Sequence, residues 1–188
     1  MNTVFEIGEA GSNIIFYRSL IGKRTTKAML QTVLSIDSHD SSYGAGPFET
    51  YSVGNVPKVN KWDFLQLLDS IHQKISNYSH MAMGKKIVYI PNRPTFYTIK
   101  KQSISQEHKI HSDNDPATIR GEERQAIVMS SIISLSSEYE GGLLQFPEYG
   151  ISMKLEAGDC VFFPSHGHWH AVTEVTAGDR YSLMHFWE

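Results

Sequence analysis

The second half of the chain contains Leu143-Leu144-Gln145-Phe146, Ile151-Ser152-Met153-Lys154-Leu155, Cys160-Val161-Phe162-Phe163, His170-Ala171-Val172-Thr173-Glu174-Val175 and Tyr181-Ser182-Leu183-Met184-His185-Phe186. Each segment is short and dominated by apolar, β-branched or aromatic residues. Gly141-Gly142, Gly150, Gly158-Asp159 and Gly178-Asp179 separate them. Many short strands with turn residues at close intervals predict a β-sandwich or small barrel. Lys86–Ile90, Thr95–Ile99, His108–Asp113 and Ala126–Leu135 extend the strand set upstream.

The first half reads differently. Val4–Ile7 and Ile14–Tyr17 suggest a small β unit around the Gly8–Gly11 turn region. Between Ser19 and Ile36, the spacing of Leu20, Met29, Leu30, Val33 and Leu34 predicts a helix, clearest in its second half. Residues 37–58, with Gly44, Gly46, Pro47, Gly54 and Pro57, read as a loop with at most a short strand. Asn60 is a suitable N-cap for a second helix, in which Phe64, Leu67, Leu68, Ile71 and Ile75 share one face. Gly84 would follow it in a turn. The expectation is one α+β, mainly β domain over 1–188: a helical support region over 1–85 and a β core over 86–188.

At 188 residues the chain is long enough for one well-buried core. A net charge of -3 and a pI near 6.3 argue against general attraction to nucleic acid or anionic membrane. Lys100 and Lys101 mark at most a local basic patch. Cys160 is the sole cysteine, so neither an intramolecular disulfide nor a cysteine-based zinc site can form. The first residues lack the pattern of a signal peptide, and no apolar run approaches the ~20 residues that cross a bilayer. A soluble, cytoplasmic protein is expected. Oligomeric state is not encoded legibly.

Nine histidines are present, and three features distinguish a subset of them. His111 and Asp113 stand two apart, a spacing that puts both side chains on one face of a strand. His170 follows 59 residues later, enough chain for several strands to return beside the first. Two imidazoles and one carboxylate on one triangular face suit a non-haem Fe(II) with open positions. The run His166-Gly167-His168-Trp169-His170 also permits a solvated loop or part of a zinc site. Arg180, ten residues beyond His170, can return on an adjacent antiparallel strand, with Ser182 on the same face. Together they could grip a carboxylate. His72 and His80 read as surface or helix-end residues.

The ordered pieces His111-Ser112-Asp113-Asn114, Tyr139–Pro147, Ala157–Pro164, His170–Val175 and Gly178–Leu183 resemble the 2-oxoglutarate and Fe(II)-dependent dioxygenases, in particular their prolyl 4-hydroxylase-like branch. The resemblance implies a double-stranded β-helix, or jelly-roll (cupin-like), core with N-terminal supporting helices. It implies His111, Asp113 and His170 as iron ligands, with His168 as the rival to His170. It also implies Arg180 as the anchor for the distal carboxylate of 2-oxoglutarate, with Ser182 assisting. Tyr97 is the nearest upstream tyrosine that could contact the same co-substrate. No catalytic residue beyond the metal centre is called for.

The implied cofactors are Fe(II), 2-oxoglutarate and O2, with ascorbate as an optional addition. The implied reaction hydroxylates an unactivated C–H bond and releases succinate and carbon dioxide. A prolyl residue in a peptide or protein leads the substrate classes, followed by a free amino acid or small metabolite. The nucleic-acid demethylase branch normally places a second arginine six residues after the first, where this chain has Phe186. A metal-binding cupin-like protein without oxygen activation, and a silent jelly-roll interaction module, are the readings from other classes. Residues 37–58 and 100–109 are the expected substrate loops.

Overall fold

Residues 3–35, 39–41, 48–52, 69–71, 73–75, 77, 97–114 and 129–187 are described by the computed structural model of the chain. Strands β1 (Thr3–Glu6) and β2 (Ile15–Arg18) form an antiparallel hairpin, followed by helix α1 (Lys23–Leu34). Next come β3 (His39–Ser41), β4 (Phe48–Ser52), β5 (Tyr97–Gln102), β6 (His108–His111) and β7 (Met129–Ser134). The second half adds β8 (Tyr139–Gly141), β9 (Leu144–Phe146), β10 (Ile151–Met153) and β11 (Cys160–Pro164). The last strands are β12 (His170–Val172), β13 (Val175–Gly178) and β14 (Arg180–Trp187).

These strands form an eight-stranded sheet in the order β1-β2-β11-β7-β14-β5-β4-β3 and a four-stranded sheet in the order β10-β9-β12-β6. A two-stranded β13-β8 ribbon completes the arrangement. The fold is the expected jelly roll, and strand alternation explains why it has two apolar clusters. Phe16, Ile132, Val161 and Phe163 of the large sheet meet Leu144, Phe146 and Val172 of the small one. The alternate residues Ile15, Tyr17, Ile133, Cys160, Phe162 and Leu183 point outward and pack with Met29 and Val33 of α1. Burial on both faces accounts for the nearly unbroken apolar runs of β2 and β11. Cys160 is fully buried in the outer cluster, and that burial pushes its thiol pKa up.

Several boundaries differ from the sequence reading. Residues 37–58 hold two strands, β3 and β4, because Tyr51 of β4 pairs with Ile99 of β5 and is buried against it. Half of the supposed loop 100–109 is strand: β5 runs through Gln102 and β6 begins at His108. Only a tight turn separates them, closed by Gln106 N–H donating to the Ser103 carbonyl at 3.0 Å. The predicted His170–Val175 strand divides. Thr173 N–H donates to the Leu143 carbonyl and Gly142 N–H to the Glu174 carbonyl, moving the chain from β9 to β8. Among the described residues of 69–77, Ile71 and Ile75 are buried as expected on a helix. Phe64, Leu67, Leu68, His72, His80, Gly84 and Lys86–Ile90 lie outside the described residues.

The turn before β11 ties the N-terminal segment to the core. Gly158 accepts a bond from Ile21 N–H at 3.1 Å, and Asp159 accepts one from Ser19 N–H at 2.8 Å. Gly158 has φ +94°, and a Cβ there would overlap the carbonyl oxygen of Ile21. Gly150 also has a positive φ, +63°, but its Cβ would enter open space. Gly150→Ala should therefore cost only the conformational term, about 1 kcal/mol. Gly158→Ala should cost about 3 kcal/mol or more, since backbone must also move. Urea unfolding followed by tryptophan fluorescence measures both.

Candidate metal centre

The centre is built where two strands of the small sheet meet. His111 ends β6 and is the Cα partner of His170, which opens β12. Their rings lie 4.3 Å apart between centroids. Asp113 does not reach them by strand alternation, because β6 has already ended. It is held instead through its neighbours. The buried Ser112 hydroxyl donates to the Ser165 carbonyl at 2.8 Å, and Asn114 N–H donates to the same oxygen at 3.0 Å. The Ser165 hydroxyl lies 2.8 Å from that of Ser130 on β7. The connection from β11 to β12 thus grips both flanks of Asp113.

Hydrogen bonding also orients the imidazoles. His111 Nδ1 lies 2.8 Å from the Lys109 carbonyl, and His170 Nδ1 lies 3.0 Å from the His168 carbonyl. A carbonyl oxygen only accepts, so each neutral ring carries its proton on Nδ1 and turns an Nε2 lone pair inward. Asp113 faces those atoms: Oδ1 is 3.4 Å from His111 Nε2, and Oδ2 is 3.7 Å from His170 Nε2. The three ligand atoms lie within 4.8 Å of one another.

Asp113 Oδ2 and His170 Nε2 are buried without a hydrogen-bond partner. Orphaned buried polar atoms are costly, and a cation between them would satisfy both. The donor set of two imidazoles and one carboxylate fits Fe(II).

The surrounding charges favour the required protonation states. Burial opposes the Asp113 carboxylate, but His170, His111 and a bond from Ser130 hold its pKa below the usual range. Burial lowers the pKa of His170. His108, whose ring stacks 4.0 Å from His111, is pushed down to about 2, chiefly by burial and then by Lys100.

Arg180 stands on β14, facing the same interior. It is 2% exposed, and its Nη1 donates to Gln102 Oε1 at 2.6 Å and to Ser182 Oγ at 3.2 Å. Its Nε has no hydrogen-bond partner. Burial lowers its pKa, while the nearby Tyr139 hydroxyl acts in the opposite sense. A cavity joins Arg180, Ser182 and Gln102 to His170. Register places Gln102 opposite Arg180, whereas Tyr97 lies opposite His185 at the far end of β5. His168 is tied elsewhere: its Nε2 lies 2.7 Å from the Ser12 carbonyl, and its ring stacks on Tyr149.

Gln102, Lys100 and His108 line the cavity, yet sequence reasoning did not single them out as site residues. Their placement depends on how β5 registers against β14, which no local motif encodes.

The 2OG-Fe(II) oxygenase superfamily model matches residues 96–188, the segment that carries this whole constellation. The chain belongs to the 2OG-Fe(II) oxygenase superfamily. A PKHD-type hydroxylase of Psychrobacter sp. (strain PRwf-1) is 26% identical over 166 residues, covering 84% of this chain. The chain spans 63% of the length of that relative. A prolyl-4-hydroxylase of Pseudomonas putida has the same fold, with a TM-score of 0.69 at 13% identity, over 95% of this chain and 94% of that one. A prolyl hydroxylase of Trichoplax adhaerens, solved with a hypoxia inducible factor peptide fragment, gives a TM-score of 0.70 at 13% identity. That similarity covers 94% of this chain and 84% of the other. At 13% identity these two likenesses are of fold.

Burial of His108 and His170 as neutral rings links the stability of this protein to pH. In the unfolded chain both rings protonate near pH ~6.5. In the folded chain both pKa values are lower, so the unfolded state binds more protons below that pH. Their contribution is retained above pH ~6.5 and lost as the pH falls below it. Metal-free protein should therefore show a lower urea midpoint at pH 5 than at pH 7. His108→Gln should reduce that difference.

Proposed function

We propose that this protein is a 2-oxoglutarate- and Fe(II)-dependent dioxygenase that hydroxylates a prolyl residue in a peptide or protein. One observation carries the reading. Two inward-facing imidazole nitrogens and a carboxylate, with buried partnerless atoms, cluster beside a cavity that His170 shares with a buried arginine whose acceptors are uncharged. A metal dication and a carboxylate ligand answer these two demands together. A cupin-like protein that only holds a metal has no use for the arginine.

His111, Asp113 and His170 would hold Fe(II), and Arg180 with Ser182 would hold the distal carboxylate of 2-oxoglutarate. Bound together, Fe(II), 2-oxoglutarate and O2 supply the oxidising power for C–H hydroxylation, with release of succinate and carbon dioxide. The chain's own work is orientation. The Nδ1–carbonyl bonds keep both ligand lone pairs directed inward, and the Ser165 carbonyl fixes the approach of Asp113. Gln102 positions the guanidinium, so we assign it the supporting role at the co-substrate in place of Tyr97. Apolar neighbours Ile132, Val172 and Met184 limit water beside the reacting groups.

The substrate assignment draws on the prolyl hydroxylases that share this fold. The Trichoplax adhaerens protein was solved with a peptide. A peptide or protein substrate is accordingly proposed here ahead of a free amino acid or small metabolite.

Anaerobic protein given Fe(II) and 2-oxoglutarate should develop a visible charge-transfer band, absent from Asp113→Ala and His170→Ala. Arg180→Met should keep iron affinity but weaken 2-oxoglutarate about 10- to 100-fold, the loss expected for a charged hydrogen-bonding anchor. Under air, proline-containing peptides should stimulate succinate release and acquire one oxygen atom, read by mass spectrometry. Failure to bind 2-oxoglutarate rejects the oxygenase reading. Turnover confined to free amino acids rejects the peptide assignment.

A further inference from the structure

The interior face of β7 carries two hydroxyls in apolar surroundings. Ser130, Ile132 and Ser134 alternate onto that face, and Ile132 packs in the cluster between the sheets. The Ser134 hydroxyl is satisfied by backbone, donating to the Ser136 carbonyl at 2.8 Å. Ser130 is 1% exposed and lies opposite Phe163, whose ring packs edge-on against His170 with centroids 4.8 Å apart. Its hydroxyl meets side chains instead: the Ser165 hydroxyl at 2.8 Å and the Asp113 carboxylate.

A proton count gives these contacts a direction. A hydroxyl has one proton, and an ionised carboxylate only accepts. Ser130 therefore gives its proton to Asp113, and the fully buried Ser165 hydroxyl donates to Ser130. Two donors in series end on the carboxylate, each polarising the next away from water. The Ser165 carbonyl meanwhile receives the Ser112 hydroxyl and the Asn114 N–H. One residue thus fixes the backbone on both sides of Asp113 and, through Ser130, its side chain. Asp113 Oδ2 has no hydrogen-bond partner, so the Ser130 bond falls on Oδ1. Oδ2 stands 3.7 Å from His170 Nε2, which is partnerless as well.

We propose that Ser130 is a positioning residue that makes Asp113 a one-oxygen metal ligand: its hydroxyl, backed by that of Ser165, occupies Oδ1 and leaves Oδ2 for the metal. This rests on the metal-centre reading and adds to it how the carboxylate binds. A carboxylate that chelates through both oxygens fills one coordination position more, a position that a co-substrate or dioxygen would otherwise take.

The test uses the intact chain and Mn(II) alone. Calorimetry measures metal affinity. Infrared difference spectra, metal-loaded minus metal-free, show the carboxylate stretches, and Asp113→Ala identifies those of Asp113. Wild-type protein should show the widely separated pair of stretches of a one-oxygen ligand. Ser130→Ala should weaken Mn(II) about tenfold or more, the loss common for an outer hydrogen-bond partner of a metal ligand. It should also narrow the separation toward that of a chelating carboxylate. Ser130→Thr keeps the hydroxyl and should restore both readouts. Ser165→Ala leaves the Ser130 proton in place and should weaken Mn(II) less than Ser130→Ala. Unchanged affinity or unchanged stretches in Ser130→Ala overturn the proposal, as does a lower Tm of the metal-free variant with metal affinity intact. A larger loss in Ser165→Ala than in Ser130→Ala overturns the order of the two donors. Wild-type protein that fails to bind Mn(II) overturns the metal-centre reading itself.

Discussion

One carbonyl oxygen, that of Ser165, holds the candidate centre together. It receives the Ser112 hydroxyl and the Asn114 N–H, so the residues on either side of Asp113 are fastened to the segment that leads into His170. The carboxylate and the second imidazole are far apart in sequence, yet their backbones are coupled through a single acceptor. Strand pairing of His111 with His170 supplies the remaining constraint. Because Ser165 is fully buried, those bonds operate away from competing water. The three donor atoms are therefore pre-organised by the fold, and a metal need not gather them.

The second organising constraint is electrostatic. An arginine removed from water without a carboxylate partner is expensive to keep, and its retention inside an apolar sandwich signals a charge supplied from outside the chain. Several other interior polar groups are satisfied internally. Ser134, Ser136 and Tyr139 each donate to backbone carbonyls, and Asp159 accepts from backbone N–H groups. The unpartnered atoms of His170 and Arg180 belong to residues that line one cavity, and that of Asp113 lies beside His170.

Residue chemistry made part of this legible without coordinates. The β11 and β14 runs read as strands because both faces are buried, and His111, Asp113, His170 and Arg180 were singled out by residue type, order and spacing. The geometric reason offered for Asp113 was incomplete, since β6 ends before it and tertiary hydrogen bonds take over. Gln102 escaped notice because its partner Arg180 lies 78 residues away and the pairing is set by register. The same holds for Lys100, which local sequence does not distinguish from Lys101. β3 and β4 were obscured by their surrounding glycines and prolines, and pairing with β5 overrides that local signal.

The order of the large sheet has a consequence for where the fold can be cut. Its four central strands, β11-β7-β14-β5, all lie within the segment shared with the superfamily, while β2 and β1 flank one side and β4 and β3 the other. The N-terminal half thus acts as a pair of selvedges. Without it, β11 and β5 would each present a row of unpaired backbone donors and acceptors, and the outward face bearing Cys160 and Phe162 would lose the cover of α1. The segment that carries the chemistry would then be sticky along both margins. Strands remote from the candidate centre thus cover both margins.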